Sequence, residues 1–203
     1  MSRANAPATT GTPRRLAHLW RVARRMTDVA AIWGSRRLDP KLREEVMLAV
    51  ARANACRLCT MAHRRWALAE GVSDAELAAL ENQDAAQFDR RTWAAIAWAD
   101  ARARADLGPA PAAFEDELGR HYTPAERDDL ELVMIVMTIA NRSANALDAL
   151  LAWLRGRWLL RSRLRDELLL STGVALAIPF AARCVALVRR RRRAVSVARG
   201  SAQ

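Results

Sequence analysis

Residues 44–63 read EEVMLAVARANACRLCTMAH, and this stretch decides the fold class. A proline at the first position of the helical pattern is a common start signal, so a helix is predicted over residues 40–52. A break is predicted over residues 53–55. A second helix is predicted over residues 56–70, because Gly71 is a natural C-cap.

Apolar residues at helical spacing continue on both sides of this stretch. Before it, residues 14–33 are predicted to form one helix that ends at Gly34-Ser35. After it, Ser73-Asp74-Ala75-Glu76 and Thr123-Pro124-Ala125-Glu126 fit the capping box and predict two helix starts. The predicted helices of this part cover residues 73–80, 90–105, 111–120 and 123–155. No segment alternates convincingly at period two, so the sequence predicts an all-α fold, a compact helical bundle.

Composition and charge limit the class of protein. The 203 residues are 52% hydrophobic and 27% charged, which excludes a wholly disordered chain. Three cysteines are too few for a disulfide-stapled secreted scaffold. The net charge of +11 is concentrated at the ends, since residues 1–37 carry eight Arg and one acid, and residues 155–203 carry twelve Arg and two acids. Because the middle of the chain is acidic, a nucleic-acid-binding body is disfavoured.

Three parts are predicted along the chain. Residues 1–13 form a disordered lead without the apolar core of a secretory signal, which favours a cytoplasmic location. Residues 14–155 form the helical domain. Residues 156–203 form a basic tail that contains the hydrophobic segment 168–188, for which a C-terminal hydrophobic helix is predicted.

The candidate reactive residues are Cys56, Cys59 and His63, which share a helix face because they lie three and four residues apart. Cys56 stands at the predicted helix start, where unpaired backbone N–H groups favour a thiolate. A neighbouring imidazole can take the thiol proton, and a carboxylate can orient that imidazole. Two thiols at this spacing can cycle between dithiol and disulfide.

Spacing alone leaves three interpretations of this motif open. The first is a redox site. The second is a zinc site, although Cys-x2-Cys-x3-His supplies three ligands where a closed structural site needs four. The third is that the cysteines and the histidine are ordinary buried core residues.

With Glu44 included, the motif reads Glu-x11-Cys-x2-Cys-x3-His. This pattern resembles that of the alkylhydroperoxidase D-like proteins of the carboxymuconolactone decarboxylase-like superfamily, and the resemblance covers roughly residues 38–153. It implies an all-α bundle of the alkylhydroperoxidase D-like type. It also implies a homo-oligomer, commonly a trimer or a multiple of trimers.

The resemblance further implies the roles of the site residues. Cys59 would attack a peroxide, Cys56 would resolve the product by closing a disulfide, and Glu44 with His63 would form the proton relay. An external dithiol reductant would restore the pair, and no cofactor or metal is implied. Leu58 stands where the best-known members have a histidine, which removes one polar group from the relay. The decarboxylases of the superfamily work without this cysteine pair, which argues against lyase chemistry.

Other residues are given no catalytic role. Glu45 is interpreted as a solvated neighbour of Glu44, and His18 and His121 as surface or structural residues. Asn141 is interpreted as a cap or a bridge in the core. Tryptophans are expected in the core or in subunit contacts, at positions 20, 33, 66, 93, 98, 153 and 158.

Residues 168–188 read LLLSTGVALAIPFAARCVALV and precede five arginines. The uninterrupted apolar part is shorter than the roughly 20 residues that span a bilayer. Three interpretations stay open: a membrane-spanning helix, a helix packed on the core or on another subunit, and a helix on an anionic membrane surface. Membrane contact would involve residues 168–193.

The sequence therefore predicts a thiol-dependent peroxidase or disulfide oxidoreductase of the peroxiredoxin type, with a role in antioxidant defence. Two alternatives come from other classes. One is a non-catalytic helical interaction module or membrane-associated module. The other is a lyase of the same superfamily.

Overall fold

The computed structural model describes residues 12–35 and 37–154, and this part of the chain is all-helical, as predicted. It contains no strand. A single 3-10 turn, Ala85–Gln87, lies between the fifth and sixth helices. The α-helices are α1 (Thr12–Arg24), α2 (Met26–Gly34), α3 (Pro40–Ala53), α4 (Arg57–Ala69), α5 (Asp74–Asn82), α6 (Arg90–Arg104), α7 (Ala112–His121) and α8 (Pro124–Leu154).

The prediction of one helix over residues 14–33 is wrong, because the chain breaks at Arg25 between α1 and α2. Neither glycine nor proline marks this break. The Arg25 side chain donates to Asp28 at 2.9 Å and to Asp128 of α8 at 3.2 Å. The break is therefore accompanied by tertiary ion pairs, which no local sequence pattern reveals.

Helix α3 lies at the centre of the bundle. Ten consecutive residues, from Leu42 to Ala51, are buried. A helix that is buried on all sides is a core helix. It packs against α4, α6 and α8, so a residue on any side of α3 faces another helix.

Two apolar clusters form the core around α3. The larger one joins α3 to α6 and α8 and also contains Cys56 and Cys59. The smaller one lies where α3 meets α5 and α6, and its buried members are Leu48, Ala49, Ala67, Val72, Leu77, Leu80 and Ile96. The cysteine pair thus belongs to the main core.

Ion pairs hold the first two helices and α6 against α8. Glu131 accepts from Arg21 of α1 at 2.6 Å and from Arg102 of α6 at 3.0 Å. Arg37, in the link before α3, is paired with Asp129 of α8 and with Asp28 of α2.

The hydrophobic segment 168–188 and its predicted helix lie outside the described residues. Within residues 12–35 and 37–154, no helix combines the length and the hydropathy needed to cross a bilayer.

Candidate active site

The two cysteines of the motif form a disulfide at the start of α4, with Cα atoms 5.3 Å apart. Cys56 is the N-cap residue of α4, and its Sγ accepts the backbone N–H of Cys59 at 3.3 Å. Because the first N–H groups of a helix lack intrahelical partners, they stabilise negative charge at this end. The helix start therefore favours the thiolate form once the disulfide is reduced.

His63 lies one turn after Cys59 and contacts Glu44, the carboxylate that was predicted to be its partner. His63 Nδ1 lies 2.8 Å from Glu44 Oε2, and both side chains are buried. Glu44 belongs to α3, so the packing of α3 against α4 brings Glu44 and His63 into contact although they are 19 residues apart in the sequence. The His63 ring also contacts Trp66 edge to face, with ring centroids 4.8 Å apart.

Arg43 also contacts the candidate site, although the sequence motif does not include it. Its guanidinium donates to Glu44 Oε1 at 3.3 and 3.4 Å, and to the Ile32 carbonyl of α2 at 3.4 Å. It also lies over the Trp33 ring at 5.6 Å. Glu44 thus has Arg43 on one oxygen and His63 on the other. In the sequence, Arg43 can be noticed only as the basic residue directly before Glu44.

The turn between α3 and α4 is fixed by polar side chains of α8. Asn141 donates to the Val50 carbonyl at 3.3 Å, and Asn145 donates to the Asn54 carbonyl at 3.1 Å. Ala55 adopts a left-handed conformation with φ 51°, directly before Cys56. The bridge expected for Asn141 is therefore present, and it supports the turn that carries the first cysteine.

The prediction that Glu45 is a solvated neighbour is wrong. It is only 1% exposed, because α3 is buried on every side from Leu42 to Ala51. Among the residues that the structure describes, its Oε1 finds no hydrogen-bond partner, and burial raises the pKa of the Glu45 carboxyl to about 7. Glu45 takes no part in the contacts of His63 described above.

The remaining residues singled out in the sequence differ in burial and in their contacts. His18 is half-buried in α1, and burial lowers its pKa. His121 ends α7 and contacts Glu117. Trp98 is buried, whereas Trp20 and Trp66 are more than half exposed. Leu58, between the cysteines, is 54% exposed. Among the described residues, no group of three His, Cys, Asp or Glu is placed to hold a metal ion.

Part of the chain matches one known protein family. Residues 17–101 match the Carboxymuconolactone decarboxylase family. The matched segment is similar to that family and covers less than half of the chain. The match confirms the resemblance that the cysteine motif predicted. No curated protein matches the chain.

The carboxymuconolactone decarboxylase segment contains the whole candidate site. Glu44, Cys56, Cys59 and His63 all lie within residues 17–101. The segment begins earlier than the predicted range 38–153, because it includes most of α1 and all of α2. It ends within α6, so α7 and α8 lie beyond it. The family includes decarboxylases and alkylhydroperoxidases. The Cys56–Cys59 disulfide lies within the matched segment.

Proposed function

We propose that this chain is a thiol-dependent peroxidase that cycles Cys56 and Cys59 between dithiol and disulfide. One observation carries the proposal: a buried Glu44–His63 hydrogen bond of 2.8 Å lies one turn after a disulfide at a helix start. An imidazole oriented by a carboxylate is the usual base for activating a neighbouring thiol. A structural disulfide needs no such pair.

The first half of the cycle oxidises Cys59. His63 accepts the thiol proton, and the thiolate attacks one oxygen of the peroxide. The O–O bond breaks, the distal oxygen leaves as an alcohol or water after protonation, and Cys59 becomes a sulfenic acid. Glu44 holds the His63 ring in place during this transfer, and Arg43 in turn holds the Glu44 carboxylate.

The second half closes and reopens the disulfide. Cys56, whose thiolate is stabilised by the start of α4, attacks the Cys59 sulfur and displaces water. An external dithiol then reduces the disulfide and carries away two electrons as its own disulfide. The exposed Leu58 supplies no proton to either step, so proton transfer rests on His63.

The test is peroxide consumption by the full-length protein with dithiothreitol as donor. Cys59→Ser should abolish turnover. Cys56→Ser should still reduce one equivalent of peroxide and should accumulate a sulfenic acid that dimedone traps. Cys184→Ser is the matched control, since Cys184 lies outside the motif, and it should turn over like the wild type.

The pH dependence of alkylation separates this proposal from its alternatives. A reduced Cys59 that alkylates well below the ordinary thiol pKa of about 8.5, and less readily in His63→Ala, would support an activated thiol. If Cys59→Ser consumes peroxide like the wild type, the peroxidase proposal is wrong. Two thiols with ordinary reactivity would favour the non-catalytic module.

A further inference from the structure

Three polar side chains of α8 contact the turn between α3 and α4. They are Thr138, Asn141 and Asn145, and we call them the α8 polar stripe. Since they lie three and four residues apart, they share one face of the helix. Thr138 and Asn141 are almost fully buried, in a helix whose other buried residues are mostly apolar. Buried polar side chains lower stability unless they form hydrogen bonds, so the partners of this stripe bear on its role.

The stripe bonds to the end of α3 and to its C-cap residue, Asn54. Asn54 Nδ2 donates to Thr138 Oγ1 at 3.4 Å, and Asn145 Nδ2 donates to the Asn54 carbonyl at 3.1 Å. Asn141 Nδ2 donates to the Val50 carbonyl at 3.3 Å. Asn54 is thus held by α8 through both its side chain and its main chain, two residues before the first cysteine of the motif.

The turn that α8 holds leads directly into Cys56. Asn54 is followed by Ala55, whose φ is 51°. A residue other than glycine keeps this left-handed conformation only where its surroundings hold it. The Cys56 N–H then donates to the Ala51 carbonyl at 2.9 Å, which ties this cysteine back to α3. Cys59, by contrast, lies inside α4 and is placed by its own helix.

Asn141 also leaves one buried group unpaired. Its Oδ1 finds no hydrogen-bond partner within residues 12–35 and 37–154. The Val50 carbonyl also accepts the Asn54 N–H at 3.0 Å, so it does not depend on Asn141 for a partner. An apolar side chain of similar size would therefore avoid the unpaired acceptor at the cost of one hydrogen bond. A local rule that is broken without a gain in stability is expected at functional sites.

We propose that Asn141 and Asn145 are positioning residues that hold Cys56 where its sulfur can reach Cys59. The inference rests on the proposed function, in which Cys56 resolves the oxidised Cys59. The Cys56 thiolate attacks the sulfur of the Cys59 sulfenic acid, the S–O bond breaks, the S–S bond forms, and the oxygen leaves as water after protonation. A second peroxide competes for the same sulfenic acid, so slow closure converts Cys59 to a sulfinic acid instead.

Positioning acts on the reduced protein. In the disulfide form, the S–S bond itself limits the movement of Cys56. In the dithiol form that limit is gone, and the turn determines how often Cys56 lies against Cys59. A turn fixed by α8 therefore raises the effective concentration of one thiol towards the other. Loss of either amide should make the disulfide slower to close and easier to reduce.

The test measures the thiol–disulfide equilibrium of Cys56 and Cys59 in the full-length protein. The protein is equilibrated with reduced and oxidised glutathione and alkylated, and the fragment that contains both cysteines is analysed by mass spectrometry. This measurement uses no peroxide, so it does not depend on the peroxidase proposal. In Asn141→Leu and in Asn145→Ala, the equilibrium constant for disulfide formation should fall about fivefold to tenfold, as expected for one hydrogen bond. A tenfold fall corresponds to a reduction potential about 30 mV less negative.

Three control variants separate positioning from general stability. Ser143→Ala lies between the two asparagines on α8, and the Ser143 hydroxyl bonds to the Ile139 carbonyl of the same helix, so the equilibrium should not change. Ser73→Ala removes the N-cap of α5 and should lower the thermal midpoint without changing the equilibrium. Asn145→Gln retains an amide that can donate, and should stay within about twofold of the wild type.

A second measurement follows the fate of oxidised Cys59. Reduced protein receives hydrogen peroxide without a reductant, and the disulfide and sulfinic acid products are separated by mass. At one peroxide concentration, the ratio of sulfinic acid to disulfide should rise about fivefold or more in Asn141→Leu and in Asn145→Ala. Ser143→Ala should keep the wild-type ratio.

An unchanged equilibrium constant in both Asn141→Leu and Asn145→Ala would overturn the inference. An equal fall in Ser73→Ala would also overturn it, because the effect would then follow stability. So would an unchanged sulfinic acid ratio beside a shifted equilibrium. If Asn141→Leu does not fold, Asn145→Ala against Asn145→Gln decides. If the equilibrium shifts as expected but peroxide oxidises neither cysteine of the wild type, the peroxidase proposal fails, while α8 still positions Cys56 for thiol–disulfide exchange.

Discussion

Glu44 is a buried carboxylate shared between two partners. Arg43 binds one oxygen and His63 binds the other, and all three side chains are almost fully buried. The motif and the family resemblance select Glu44, Cys56, Cys59 and His63 as candidate site residues, and their catalytic roles stay predictions. Neither could predict Arg43, because the role of that side chain depends on the Ile32 carbonyl and the Trp33 ring of α2.

Arg43→Met should destabilise the protein by about 3 kcal/mol, because it leaves a buried charge with less compensation. The double variant Arg43→Met/Glu44→Gln removes that charge as well. Its loss should be smaller than the sum of the two single losses by about 1 kcal/mol or more, as expected for residues in contact. Chemical unfolding of the four proteins measures this coupling. Additive losses would show that Arg43 acts by packing alone.

At the scale of the helix, the predictions that the structure confirms rest on local sequence patterns. The start of α3 at Pro40, the N-cap at Cys56 and both predicted capping boxes are present, because each rests on a side chain bonding to its own turn. The break at Arg25 was missed because it involves contacts with α8. The burial of Glu45 was missed because local periodicity does not show that α3 is surrounded.

Ser73 caps α5 through a complete capping box with Glu76. Ser73→Ala should therefore lower the free energy of unfolding by about 1 kcal/mol. Ser143→Ala is the matched control, since the Ser143 hydroxyl bonds to the Ile139 carbonyl inside α8. A hydroxyl that bonds back along its own helix stabilises it little, so the control should change stability by less than about 0.5 kcal/mol. Equal losses in the two variants would contradict a capping role for Ser73.

At the scale of the molecule, the sequence predicted the all-α fold and the resemblance to the family, and both are confirmed. The homo-oligomer, the division of the chain into three parts and the helix over residues 168–188 stay predictions. The structure adds a buried titratable group, the carboxyl of Glu45 on α3. Burial is the main reason for its raised pKa, Lys41 opposes the shift, and Glu76, Asp39 and Asp89 add to it.

This buried carboxyl should make the stability of the whole protein depend on pH. Below its usual pKa of 4.5, Glu45 is protonated in the folded and the unfolded chain, and it has no effect. Between 4.5 and about 7, only the unfolded chain loses the proton, so rising pH favours unfolding. Above about 7, the folded protein bears the full penalty, which amounts to roughly 3 kcal/mol for a shift of this size.

Glu45→Gln removes the titration while keeping the shape and polarity of the side chain. It should be close to the wild type in stability at about pH 4.5 and about 2 kcal/mol more stable at about pH 8. Denaturant unfolding at both pH values measures the difference. Glu70→Gln, at an exposed carboxyl, is the control and should change stability by less than about 0.5 kcal/mol at either pH. Parallel pH profiles for Glu45→Gln and the wild type would mean that Glu45 is ionised at little cost, through relaxation of the surrounding helices.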